Sequence, residues 1–96
     1  MKKIFVSLPM NGRDKRDIIG ERNKVFLKYK LYGKDVEILD NLFDFESDNP
    51  IKYLAKSIEL LADADVVHFC NGWEKARGCR IEHEVAVAYG KECVYE

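Results

Sequence analysis

Strands alternating with helices along all 96 residues predict an α/β domain on a parallel sheet. Three observations carry that expectation. Short apolar runs (KIFVSL, DVEIL, DVVHFC, ECVY) stand where strands fit. Apolar residues recur at helical spacing between them. Gly33, Asn71-Gly72 and Gly90 punctuate the joins. A strand that returns parallel needs a right-handed crossover, so β-α-β-α-β-α-β gives a four-stranded parallel sheet. The expected fold is a small Rossmann- or flavodoxin-like three-layer domain.

Residues 3 to 8 form the first buried strand in this reading, followed by the turn-rich PMNGR. From Asp14 to Leu31, Ile18, Ile19, Val25, Phe26 and Tyr29 fall at helical spacing, and Gly33 ends the helix. Residues 35 to 39 make strand two. The segment DNLFDFESDNP is an acidic loop holding Phe43 and Phe45. Asn49 is a good N-cap with Pro50 behind it. Ile51, Leu54, Ile58 and Leu61 then set the inward stripe of helix two. Residues 65 to 70 are strand three, helix three runs from about Lys75 to Tyr89, and ECVY is the last strand.

Length and composition describe one domain, 1–96. A chain this short hides only roughly two-thirds of its unfolded surface, so association with a second copy would help it. The chain is 47% apolar and 34% charged, as in ordinary globular proteins. MKKIFVSLPM has too short an apolar core for a signal peptide, and Pro9 interrupts it. No run approaches the ~20 apolar residues that span a bilayer. Cys70, Cys79 and Cys93 are odd in number and lack CxxC spacing, so neither a disulfide framework nor a zinc site is indicated. A cytoplasmic location is expected. Residues 1 to 34 carry ten Lys/Arg against three Asp/Glu, and the remainder six against fourteen. The basic half suits either an anion such as a nucleotide phosphate or a solvated first helix. Overall charge is −1, which disfavours a nucleic-acid polymer as partner.

Ligands of parallel sheets bind beyond the carboxyl ends of the strands, where strand order changes direction. That edge holds SLPMNGR, the loop after strand two, and CNGWEKARG. Ser7 has no Ser-His-acid context and closes its strand. Asn11, Gly12 and Arg13 either offer donors to a phosphate or sugar or form a polar turn. Trp73 either stacks on a base or packs on helix three or a second subunit. Arg77 and Arg80 suit a phosphate or a pairing with Glu74. His83 points some 100° from Glu82 around the helix, and with His68 it makes no metal-ligand spacing.

Helical spacing puts Gly78, Glu82, Val85, Ala86 and Tyr89 on one stripe facing the sheet, apolar except at Glu82. A Glu this near a helix start either complements the helix dipole, worth ~0.3–1 kcal/mol, or forms a partly buried carboxylate in a ligand cleft. The second kind acts as nucleophile or base.

The run GWEKARGCRIEHEVAVAYGK, taken with ADADVV before it and IFVSLPMNG at the start, resembles the nucleoside 2-deoxyribosyltransferase-like superfamily. It looks like a small branch frequent in phages and bacteria, with the pattern GWExSxGAxxExxxA. Gly72, Trp73, Glu74, Gly78, Glu82 and Ala86 fit in register; the first strand and loop fit more loosely. The resemblance implies that Glu82 is a catalytic nucleophile, attacking the anomeric carbon of a deoxyribonucleoside and expelling the base. Water or a second base then resolves the glycosyl ester, as in retaining glycoside hydrolysis. It places Ser7, Pro9, Met10, Asn11, Gly12 and Arg13, with Trp73, Glu74, Gly78 and Arg80, against the substrate. It implies no cofactor or metal, and a homo-oligomer, a dimer or more.

Two positions depart from the family pattern. Eight residues before Asp65, where characterised transferases carry an Asp that helps protonate the leaving base, stands Ser57. Six before Glu82, where they carry Asp or Ser, stands Ala76. Glu74 or Asp44 are the available substitutes. A missing proton donor typically costs 10²–10⁴-fold. Two expectations therefore stand side by side: N-glycosyl transfer or hydrolysis on a nucleoside or nucleotide, and a non-catalytic module that binds or sequesters one.

Overall fold

A computed structural model of the protein describes residues 1–39 and 49–96. The expected acidic loop with Phe43 and Phe45, and Asp44 as a substitute acid, lie outside the described residues. Among the described residues four strands and three α-helices alternate: β1 (Lys2–Ser7), α1 (Lys15–Leu31), β2 (Val36–Ile38), α2 (Pro50–Leu61), β3 (Val66–Phe69), α3 (Arg77–Ala88) and β4 (Glu92–Tyr95). The sheet is wholly parallel, in the order β2-β1-β3-β4, and the α/β class read from the sequence holds.

Central and edge strands bury their residues differently, as their neighbours require. Phe5, Val6, Val67 and Phe69 on β1 and β3 are fully buried, because strands covered on both faces hide both sets of side chains. On β4 the burial is only partial. One cluster joins Ile4, Val6, Leu8, Val36, Val66 and Cys70 to Ile18 and Val25 of α1. The other joins Phe5, Val67 and Phe69 to Leu61 of α2 and Ala86 of α3. So α1 covers one face while α2 and α3 share the other, as right-handed crossovers on this strand order dictate.

Helix boundaries follow local chemistry. The Asp14 side chain accepts from the Arg16 N–H and starts α1; Gly33, at φ 71°, ends it. Asn49 caps α2 through the Ile51 N–H (3.0 Å), with Pro50 at its first position. Lys91 donates to the carbonyls of Ala62 (2.8 Å) and Ala64 (2.7 Å), tying the C-terminal end of α2 to the start of β4.

Three expectations need correction. Ile51 does not face inward: it is 75% exposed, and the buried side chains of α2 are Ser57 and Leu61. Tyr89 is 81% exposed, and Cys79 is the buried member of the α3 stripe with Glu82 and Ala86. Finally, α3 starts at Arg77, not Lys75. Trp73–Lys75 make one 3₁₀ turn, and Ala76 is extended (φ −100°, ψ 120°), breaking the two apart.

Candidate functional site

From the two central strands of this sheet the chain moves towards opposite edges. The chain passes from β1 outward to β2 and from β3 outward to β4, so the order switches between β1 and β3. Their carboxyl ends carry Ser7-Leu8-Pro9 and Cys70-Asn71-Gly72. Gly72 takes φ 90° and lies against the other loop, where a Cβ would stand 3.5 Å from the Pro9 ring. The two loops thus meet above the switch point, and Gly72 makes the turn in a region L side chains rarely enter.

Glu82 lies beneath them, in the second turn of α3. Although charged by type, it is only 7% exposed. The Ser7 hydroxyl, fully buried, donates to its Oε1 at 2.7 Å. Oε2 has no hydrogen-bond partner among the described residues. Burial pushes the carboxyl up to about 7, against a single opposing influence, the Ser7 hydrogen bond. Near neutrality the group therefore exchanges between a carboxylate, able to attack or accept a proton, and an acid able to give one. Cys79, one turn earlier, is also buried; loss of solvent first, then the nearby Glu82 charge, raises its thiol to about 11 despite a hydrogen bond with Ser7. It stays a thiol, not a nucleophile.

The first-loop candidates divide by occupation. Arg13 is spent on structure: its guanidinium donates to the Pro9 carbonyl (2.9 Å) and to Glu21 (2.6 Å). Its backbone N–H closes the turn onto the Met10 carbonyl. Asn11 and Gly12 are exposed at the tip of that turn. Met10 packs towards the α1-side core, and its sulfur accepts from the Tyr53 hydroxyl of α2 at 3.4 Å. Tyr53 was not among the expected residues; only the fold brings it across.

The third-loop candidates turn elsewhere. Trp73 packs among Phe69, His83 and Tyr95, its ring centroid 4.4 Å from that of His83. The Tyr95 hydroxyl and His83 Nε2 are 2.8 Å apart. Trp73 and Glu74 line a hollow of about 480 Å³ with Arg77, Arg80, Ile81 and Glu84. Those helix residues lie on the side of α3 turned away from the sheet, and Glu82 is not in the lining. So Ser7 and Glu82 are brought together, Pro9 and Gly72 meet where the two loops cross, Met10 packs with the α1-side core, and Gly78 sits half-buried one turn before Glu82. Trp73, Glu74 and Arg80 belong to a separate hollow across the helix. Ser57 is 2% exposed on α2, whereas Ala76 sits at the start of α3 and supplies no side-chain cap.

Ser7 is the residue whose role the sequence hid. Its neighbours in the chain say only that a strand ends; its partner is 75 positions away. Parity offered the one available signal, since Phe5 and Ser7 share a strand face, the face that α3 covers.

A four-stranded parallel sheet with helices on both faces defines a small Rossmann-like α/β domain. The chain belongs to a family described as a domain of unknown function (DUF4406), whose model matches residues 2–95. No curated protein matches it.

Proposed function

We propose that the protein cleaves or transfers the N-glycosidic bond of a nucleoside or nucleotide, deoxyribose being the expected sugar, with Glu82 as nucleophile. One observation carries the reading: a carboxylate 7% exposed, held through one oxygen by Ser7 and, among the described residues, without a hydrogen-bond partner at the other, behind the switch point of a parallel sheet. Ionised Glu82 would attack C1′ through Oε2 as the C1′–N bond breaks. The base leaves with the bonding electrons and takes a proton from solvent water, and water or a second base then displaces the ester, releasing a proton. Ser7 orients the carboxylate and favours its charged form. Ala76 leaves the first N–H groups of α3 without a side-chain cap, a setting that suits an anionic group such as a nucleotide phosphate. Ser57 supplies no acid for the leaving base, so purines and other good leaving groups are the favoured substrates.

The test is incubation with deoxynucleosides and their monophosphates, with and without an acceptor base, followed by chromatography for free or exchanged base. Product that Glu82→Gln abolishes supports the reading. Its absence across purine and pyrimidine substrates overturns it.

A second reading rests on the hollow across α3. Its Trp73 ring, two arginines and a volume within the usual range for ligand sites suit a nucleotide bound away from Glu82, without turnover. Binding lost in Arg77→Ala and Arg80→Ala, unchanged by Glu82→Gln and without product, favours that reading. A homo-oligomer and a reducing cytoplasm are proposed with either. The three cysteines are free, and no described helix is long and apolar enough to cross a membrane.

A further inference from the structure

The α1 side of the sheet carries another polar cluster, separated from Glu82 by the sheet itself. Period-two alternation puts His68 and Cys70 on one side of β3. Register pairs Phe69 with Tyr95, and the Glu96 N–H donates to the Phe69 carbonyl (3.0 Å). Glu96 is thereby carried beside Cys70. His68 Nε2 lies 3.0 Å from Glu96 Oε2. The histidine nitrogen, the cysteine sulfur and a glutamate oxygen all lie within 4.8 Å of one another. His68 is 4% exposed and Cys70 fully buried, while the Glu96 side chain, 19% exposed, opens the cluster to solvent.

We propose that His68, Cys70 and Glu96 bind one divalent cation of the zinc class, leaving its fourth position open. The donor set of imidazole, thiolate and carboxylate is the one zinc takes, and three protein ligands with an open position are characteristic of non-structural zinc sites. Ligands at ~2.0–2.3 Å in tetrahedral array stand roughly 3.3–3.7 Å apart. The 3.0 Å between His68 and Glu96 and the 4.8 Å limit on the set lie either side of that range, so small side-chain rotations would bring the ligands to it.

The surroundings hold the ligands in the required orientation. His68 Nδ1 is 3.0 Å from the Tyr29 hydroxyl. With Nδ1–H donating to that oxygen, the Nε2 lone pair is free for the cation, the usual outer hydrogen bond of a metal-bound histidine. The Asn71 N–H donates to Glu96 Oε1 (3.1 Å), leaving Oε2 available. Without a cation the Cys70 thiol is held well above its ordinary range by burial and by the Glu96 and Glu21 carboxylates. Binding breaks S–H, forms the sulfur–metal bond and releases one proton to solvent. The imidazole proton passes from Nε2 to Nδ1 as the Tyr29 hydroxyl turns from donor to acceptor. Thiolate and carboxylate together neutralise the dication, as burial demands.

The experiment titrates the intact chain with cobalt(II), a spectroscopic stand-in for zinc. A single equivalent is expected to give the near-ultraviolet thiolate-to-cobalt band and the strong visible bands of four-coordinate cobalt, both erased by zinc. Cys70→Ser should abolish the near-ultraviolet band. Glu96→Gln and Tyr29→Phe should keep it and weaken affinity, the latter by about 10–100-fold. A chain carrying Cys79→Ala and Cys93→Ala should behave as the unaltered protein. No thiolate band in the unaltered protein overturns the proposal, as does a band lost in the doubly substituted chain. If Cys70→Ser fails to fold, the partly exposed Glu96→Gln and the doubly substituted chain decide the matter alone.

Discussion

At the scale of a residue, Glu82 concentrates the cost and the use of this fold. Its carboxyl is raised from 4.5 to about 7 by burial. The folded protein therefore holds the proton more tightly than the unfolded chain does. Between those values the folded state binds more protons, so stability falls as pH rises, and above about 7 the loss is complete and constant. The shift corresponds to about 3 kcal/mol. Glu82→Gln, which mimics the protonated form, should be nearly neutral at about pH 4 and stabilising by up to about 3 kcal/mol at about pH 8. Urea denaturation at both values checks it; a difference independent of pH refutes the assignment of a costly buried charge. Ser7→Ala removes the single influence that favours the carboxylate and should drive the Glu82 titration upward. Carboxyl NMR would read that directly, and any turnover should need more alkaline solution in the variant. An unmoved titration would mean the hydroxyl does not govern the charge. Of this site, the acid was legible at its helix position and its hydroxyl partner was not, because Ser7 reaches Glu82 only once β1 and α3 have packed.

At the scale of an element, what was legible depended on whether the signal was local. Asn49-Pro50, Gly33 and Gly90 act through their own backbone, and each helix end they announce is where they put it. The inward stripe of α2 failed for the opposite reason. Ile51 is apolar but sits in the first turn, beyond the reach of the sheet, and burial goes to Ser57 one turn before Leu61. Tyr89 fails likewise as the C-cap just past the end of α3, where its side chain is exposed. The late start of α3 has a sharper cause: Ala76 is extended and has no side chain able to accept from the first N–H groups. That defect is correctable. Ala76→Ser or Ala76→Asp should stabilise the protein by about 0.5–2 kcal/mol as an N-cap, measured as a shift in denaturant midpoint at constant slope. The same change puts a polar side chain at the open end of α3. A gain in turnover alongside stability would support the enzymatic reading, whereas stabilisation with loss of nucleotide binding would mean the open helix end itself receives the ligand.

At the scale of the whole molecule, the layering was readable because alternation, crossover handedness and parallel pairing leave few other arrangements. What lies outside the layers was not, since periodicity marks the faces that meet the sheet and is silent about the rest. The outer side of α1 shows this: Leu27 is 58% exposed and Leu31 86%, one turn apart, with Tyr32 at 77% beside them. A chain of 11.2 kDa has little core to spare, and covering two leucines and a tyrosine would add burial at about 25 cal/mol per Å² of apolar surface. The homo-oligomer proposed above would be served by this patch. Leu27→Glu with Leu31→Glu should then change the stability of the separated chain by no more than about 0.5 kcal/mol, as for surface substitutions generally. The same pair of charges should convert the sedimenting species from a multiple of 11.2 kDa to 11.2 kDa itself. Unaltered protein sedimenting as a single chain at micromolar concentration would remove the oligomer from the proposal. An oligomer indifferent to both substitutions would move the interface off α1, to the side of the sheet beyond it, where Val94 is only partly covered.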